Sequence, residues 1–116
     1  MDARYERQIK RGVLEMLVLE LICRGRTYGY AISVQLGSYA DGLFRLREGT
    51  LYPILYRLED DGLIRSDVEA AQGRGAAKRY YEATPAGHET LRELRALWTR
   101  FSNGVQQVLQ EEKTDE

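Results

Sequence analysis

The apolar residues of this 116-residue chain change their period in a fixed order, and that order restricts the fold more than any other feature. Helical spacing runs through residues 6–23 and again through 28–37. It returns in residues 51–58, where leucine or isoleucine stands at i, i+3, i+4 and i+7. Two short segments of strand character, 63–68 and 79–84, follow directly. The order helix, helix, helix, strand, strand predicts a mainly α chain with a small β-hairpin, a winged helix-turn-helix.

A long fourth helix is predicted after the hairpin. Thr84 supplies an N-cap and Pro85 suits the first helical position, so the helix starts at 85 and runs to about Gln110, with a candidate bend at Ser102-Asn103-Gly104. Apolar residues recur along it at steps of three and four, a narrow seam that predicts a partner helix and hence a homodimer. We therefore divide the chain into a winged-helix unit, 1–84, and a C-terminal dimerisation helix with a frayed tail, 85–116. The seam consists of Leu91, Leu94, Trp98, Phe101, Val105 and Val108.

The helix starts carry further signals. Thr27 is a candidate N-cap for the second helix, and Pro53 has to lie close to the first turn of the third, where a missing amide donor costs least.

Catalysis and metal binding find little support in the composition. The one cysteine, Cys23, lies far in sequence from the one histidine, His88, and metal ligands are not clustered. The Gly73-Arg74-Gly75 segment lacks the lysine and Ser/Thr of a phosphate-binding loop. We expect a protein that is not an enzyme, has no metal or cofactor, and keeps Cys23 as an inert core thiol.

The chain also lacks the signals of membrane insertion or export. Its longest apolar stretch, residues 13–23, contains Glu15 and Glu20 and is too short to span a bilayer. The first five residues lack the apolar core of a secretory signal, so we expect a cytoplasmic protein without a membrane segment.

Charge is distributed unevenly. A net charge of -1 and a pI near 5.9 argue against indiscriminate coating of nucleic acid. Residues 1–30 nevertheless carry six basic and four acidic groups, whereas residues 85–116 carry four basic and six acidic ones. This asymmetry suits a nucleic-acid face in the N-terminal part and an acidic, solvated C-terminal end.

The outward face of the third helix has the chemistry of a DNA-reading helix. Thr50, Tyr52 and Tyr56 offer hydroxyls, and Arg57 offers a guanidinium able to bind guanine through two hydrogen bonds. Alternatives remain open for each type of residue. Arg57 can instead pair with Glu59-Asp60 or with its own helix, and the two tyrosines can be half-buried packing residues.

Further residues are placed to contact the DNA backbone. In the hairpin, Arg74, Lys78 and Arg79 are candidates for phosphate or minor-groove contact, with a solvated loop as the alternative. The start of the second helix offers Thr27, Tyr28 and Tyr30 beside amides that can hold a phosphate. Lys10 in the first helix is either another backbone contact or part of a charged helix face.

Several sequence segments in the same order resemble PadR-family transcriptional regulators. They are residues 11–19, residues 28–32, the segment Glu48-Gly49-Thr50-Leu51-Tyr52-Pro53 with its continuation to Ile64, and Lys78-Arg79-Tyr80-Tyr81 with Thr84 and Gly87. The short C-terminal part resembles the family's smaller members, which include multidrug-sensing repressors with a tryptophan at the position of Trp98. This resemblance implies DNA binding and an effector cavity between two protomers.

The cavity implied by the resemblance would be lined by Trp98, Ile9, Gly12, Glu15, Met16 and Ser102. Trp98 either stacks on an aromatic guest or only packs in the dimer. A carboxylate in the apolar first helix is costly if it is sealed and unpaired, so Glu15 either pairs, faces a wet cavity or meets a cationic guest.

These observations predict a dimeric repressor that occupies a pseudo-palindromic operator and is released by a small aromatic or cationic lipophilic effector. The alternative is a winged-helix module that binds proteins and has no DNA-binding activity.

Overall fold

The computed structural model describes residues 2–69 and 77–110. Four helices and a three-stranded sheet make up the fold, with one turn of 3-10 helix at Ala40–Gly42 before the third helix. The mainly α winged-helix prediction is confirmed. The elements are α1 (Ala3–Arg24), β1 (Thr27–Tyr28), α2 (Gly29–Gly37), α3 (Glu48–Asp60), β2 (Ile64–Glu69), β3 (Lys78–Ala83) and α4 (Pro85–Gln110).

One hydrophobic core joins these elements. It takes the C-terminal half of α1, where Val18, Leu19 and Ile22 have almost no exposure, and the apolar stripes of α2 and α3. From α4 only Gly87 and Leu91 are buried, so the first two turns of that helix pack on the core. The remainder of α4 contributes no buried residue to this chain.

The sheet has the order β1-β3-β2 and is antiparallel throughout. Its hairpin, β2 and β3, matches the predicted pair of strands to within one residue at each end. The third strand, β1, is not predicted by the sequence. Thr27 pairs with Tyr81 and Tyr28 with Tyr80, so Thr27 is not the N-cap that its hydroxyl suggested. Tyr28 occupies that position, and its side chain makes no capping hydrogen bond.

The starts of α4 and α3 differ in how closely they follow the local signals. The N-cap prediction for α4 is confirmed, because Thr84 Oγ1 accepts a hydrogen bond from Gly87 N at 3.0 Å and donates to the carbonyl oxygen of Gly62 at 2.7 Å. This helix continues to Gln110 through the residues that offered a bend. In α3, by contrast, Pro53 lies in the second turn, because the helix begins earlier than expected, at Glu48. The proline leaves the Gly49 carbonyl without its helical donor, and this site is open to water.

Candidate nucleic-acid interface

An open groove of about 470 Å³ lies where the start of α2, the middle of α3 and the root of the β2–β3 hairpin, the wing, meet. Tyrosine and basic side chains dominate its lining. They come from β1 with the adjoining start of α2, from α3 and from β3, three parts of the chain far apart in sequence that the sheet and the core bring together. The lining residues are Tyr28, Gly29, Tyr30, Tyr52, Ala77, Lys78, Arg79 and Tyr81. Five of the sequence-predicted DNA-binding residues therefore share one surface.

Tyr52 and Tyr56 differ in how far they reach out of α3. The ring of Tyr52 is half-buried against the start of α2, where a Cβ on Gly29 would come within 2.6 Å of the Tyr52 hydroxyl oxygen. Glycine at position 29 therefore makes room for this ring. Tyr56, in contrast, is 74% exposed on the side of α3 that faces away from the core. The alternative that these tyrosines are half-buried packing residues therefore applies in part to Tyr52 and does not apply to Tyr56.

At the root of the wing, cations lie over aromatic rings. Lys78 Nζ is 4.4 Å from the ring centroid of Tyr28, and Tyr28 meets Tyr80 edge-on at 5.5 Å. The Arg26 guanidinium carbon in turn lies 4.1 Å from the ring centroid of Tyr80. Such contacts hold a cation in place while leaving its outer donors open to a phosphate. Lys78 is thus positioned by Tyr28.

Arg79 is oriented by a hydroxyl. Its Nη1 donates to Ser66 Oγ at 3.0 Å, and that Oγ lies 2.9 Å from a carboxylate oxygen of Glu59. Tyr81 lies in the same part of the sheet and is 4% exposed. Burial raises the pKa of its phenol, and the neighbouring Tyr52 adds to the shift. The Tyr81 hydroxyl therefore stays neutral and can both donate and accept.

Arg57 has a partner that the sequence alternatives did not include. Its Nε and Nη2 both lie 2.7 Å from Glu15 Oε2, which joins α3 to α1. Neither Glu59 nor Asp60 pairs with it among the described residues. Of the alternatives for Glu15, which were a paired carboxylate, a wet cavity or a cationic guest, the structure has the paired carboxylate.

Three further candidates lie at the edges of this surface or beyond it. Lys10 forms an ion pair with Glu6 at 2.6 Å, one turn earlier in α1. Thr50 is exposed in the first turn of α3. The prediction for Arg74 lies outside the described residues.

The effector candidates spread along α1 and α4. Ile9 and Gly12 are open to solvent, whereas Met16 packs against the core. Trp98 is 41% exposed, with its ring centroid 6.1 Å from that of Phe101. Ser102 Oγ donates to the carbonyl oxygen of Thr99 at 3.3 Å.

The predicted seam of α4 divides into two parts. Leu91 is buried and Leu94 packs against the core of the same chain. The other members are exposed and form a continuous apolar face with neighbouring leucines. This face consists of Leu97, Trp98, Phe101, Val105, Val108 and Leu109.

Sequence reasoning missed the residues that hold the wing in place. Arg26 contacts the carboxylates of Asp67, Glu69 and Glu82, at 3.0, 3.8 and 3.4 Å, across the sheet. Ser66 orients Arg79 as described above. Alternating acidic residues in the β2 segment were the only available signal, since the pairing depends on the strand register.

Within residues 2–69 and 77–110, no helix is long and apolar enough to cross a membrane. The same residues contain no group of three or more His, Cys, Asp or Glu side chains that could hold a metal ion.

Comparison with known proteins gives consistent matches. Residues 18–93 match the family described as "Transcriptional regulator PadR-like family". A transcriptional regulator of Mycobacterium tuberculosis is 36% identical over 99 residues, which cover 85% of this chain and 88% of the relative. The crystal structure of a PadR family transcriptional regulator from Eggerthella lenta is similar with a TM-score of 0.80 and 34% identity, covering 95% of this chain and 93% of the other. A PadR-like regulator from Bacillus cereus gives 0.75 at 34% identity, covering 90% and 99%.

Proposed function

The chain belongs to the PadR-like family of transcriptional regulators, and on that premise we propose that it is a homodimeric repressor of a pseudo-palindromic operator. The family consists of regulators of transcription and not of enzymes. DNA-binding regulation follows from membership, whereas repression, the dimer and an effector are our proposal.

The observation that carries the proposal is the tyrosine-rich groove beside α3. We assign base contacts to Tyr56, the more exposed of the two tyrosines of the helix, together with Tyr52 and Thr50, and we place Arg57 in the same interface as a DNA contact from the flank of the helix. We assign backbone contacts to the surrounding residues, because hydroxyls and cations at a helix start and a wing root suit phosphates. These are Lys10, Thr27, Tyr28, Tyr30, Lys78 and Arg79, with Arg74 retained as a candidate from the sequence alone.

The exposed face of α4 supports a second copy of this chain as the partner. It joins six large apolar side chains over residues 97–109, more than isolated surface residues would explain. Its step of three and four residues suits an opposing helix. We therefore retain 1–84 as the DNA-binding unit and 85–116 as the dimerisation unit, with the first turns of α4 anchored in the core.

We further propose that an aromatic or cationic lipophilic compound binds between the protomers and shifts the spacing of the two DNA-binding units. The support is the neighbouring pair Trp98 and Phe101 on the exposed face, together with the resemblance to multidrug-sensing members. The protein would act in the cytoplasm, where its DNA is.

A salt titration tests the DNA-binding proposal. A duplex is first selected from a random library by the wild-type protein, and its dissociation constant is then measured by fluorescence anisotropy from 50 to 200 mM NaCl. Lys10, Lys78 and Arg79 of two protomers give six phosphate contacts, so affinity should fall about 1,000-fold over this range. Failure to bind any duplex at 50 mM would contradict the proposal and favour the protein-interaction alternative.

A further inference from the structure

We propose that Glu15 competes with DNA phosphate for the guanidinium of Arg57 and thereby limits the affinity of this protein for DNA. The inference rests on the proposed function and adds an antagonist residue on α1, outside the DNA-binding surface. It starts from the ion pair between Glu15 and Arg57, the one ion pair that joins α1 to α3 within the described parts of the chain.

The geometry gives Arg57 a choice of partners. Arg57 follows Tyr56 directly, so its side chain leaves α3 about 100° around the helix from that exposed tyrosine. Its position is on the flank of the helix, between the buried stripe and the outward face. From the flank, the long arginine side chain can turn to α1 or to the DNA. In the structure it turns to α1, with two donors on one oxygen of Glu15.

The pair is poised for exchange because both partners remain accessible. The side chain of Arg57 is 54% exposed and that of Glu15 is 36% exposed. Ion pairs with this degree of exposure contribute little stability, so removing the carboxylate costs the fold little and frees the guanidinium for a phosphate. While Glu15 keeps the guanidinium, Arg57 neutralises a carboxylate of its own chain and displaces no counterion from DNA.

The consequence concerns non-specific binding most directly. A phosphate contact carries no sequence information, so an arginine freed from Glu15 strengthens binding to any duplex. By holding Arg57, Glu15 lowers that sequence-independent part of the affinity. We therefore expect Glu15 to raise the ratio of specific to non-specific binding.

The test is Glu15→Gln, with Glu89→Gln as a matched control that removes the same charge from another exposed ion pair, with Arg92 on α4. Dissociation constants for the selected duplex and a scrambled one are measured from 50 to 200 mM NaCl. One additional phosphate contact per protomer makes the slope of log K against log salt steeper by about 1.8 for a dimer. Over this fourfold range, Glu15→Gln should therefore lose about 12-fold more affinity than wild type does. It should also bind both duplexes more tightly than wild type does at 50 mM. Its affinity for the scrambled duplex should rise by at least the same factor as its affinity for the selected one.

A double-variant comparison assigns the effect to Arg57. In an Arg57→Ala background, Glu15→Gln should leave the slope unchanged. The same increase there, or in Glu89→Gln, would show a general charge effect and overturn the proposal. Glu15→Ala provides a second removal of the carboxylate and should steepen the slope as Glu15→Gln does.

Two other outcomes separate the proposals from each other. In the first, Glu15→Gln binds DNA no more tightly than wild type does and shows the same salt slope. The ion pair then only positions α3, and the inference fails while the DNA-binding proposal stands. In the second, the wild-type protein binds no duplex at 50 mM NaCl, and the proposed function itself fails.

Discussion

Gly87 is the position where one added methyl group should most clearly disturb the connection between the wing and α4. A Cβ at this third residue of α4 would lie 2.0 Å from the carbonyl oxygen of Leu63, or 1.4 Å short of the 3.4 Å at which ordinary contact begins. The carbonyl cannot move away freely. It accepts a hydrogen bond from Thr84 N at 3.0 Å, while Leu63 N donates to the carbonyl oxygen of Leu58 at 2.9 Å.

Two opposing effects determine the stability of Gly87→Ala. Alanine in place of glycine favours a helix by about 0.5 to 1 kcal/mol, whereas forcing extra volume into a packed site costs about 1 to 3 kcal/mol. The clash should prevail, because its partner is backbone held by hydrogen bonds at both ends. A backbone partner places the clash near the upper end of its range of about 1 to 3 kcal/mol, so we expect a net loss of about 2 kcal/mol, which lowers the urea midpoint by about 1 M.

The assay is urea unfolding followed by circular dichroism, with all variants at one protomer concentration, because the proposed dimer would shift the apparent stability. Gly49→Ala is the matched control. Gly49 is also in the first turn of a helix, and its Cβ would meet nothing within 4 Å. This variant should be as stable as wild type or slightly more stable. A Gly87→Ala protein with the wild-type midpoint would refute the reasoning, because Leu63 would then have room to move.

Three further predictions test the remaining surfaces. Tyr56→Ala should weaken binding to the selected duplex by about 1 kcal/mol or more in anisotropy measurements. Its unfolding should match that of wild type, because the side chain is 74% exposed. Wild-type affinity in this variant would show that Tyr56 is not part of the interface. Trp98→Ala should weaken dimerisation by about 2 kcal/mol in sedimentation equilibrium, and an unchanged constant would place the partner elsewhere. Burial, and then the charge of Glu20, raise the pKa of the Cys23 thiol, so iodoacetamide at pH 7.5 should react with the folded protein more slowly than with the chain in 8 M urea. Equal rates would contradict that environment.

The features that the sequence predicts well are those that local signals determine. A threonine followed by a proline is enough to start α4 at Pro85, because capping and a fixed φ act within one turn. The apolar stripe of α3 likewise identifies Leu51, Ile54, Leu55 and Leu58 as buried. These predictions need no information about the rest of the chain.

The features that the sequence misses depend on distant partners. β1 has only two residues, and it forms because Thr27 and Tyr28 meet a strand more than fifty residues later. Arg57 shows the same limit. Its neighbours in sequence suggested a pairing with Glu59, but that carboxylate bonds to Ser66, and the real partner is Glu15 on another helix. Side-chain pairing on a helix surface is set by the packed elements around it, which local periodicity does not contain.

The partners of the basic candidates limit how this surface can bind DNA. Within the described residues, Lys10 is paired with Glu6 and Arg57 with Glu15, while Lys78 lies on Tyr28 and Arg79 on Ser66. A paired cation that turns to the DNA exchanges a carboxylate for a phosphate and leaves the number of ion pairs unchanged. The gain is then chiefly counterion release, which depends on salt and not on sequence. We therefore expect sequence discrimination to come from the groups that exchange nothing, above all from Tyr56, which is 74% exposed on α3.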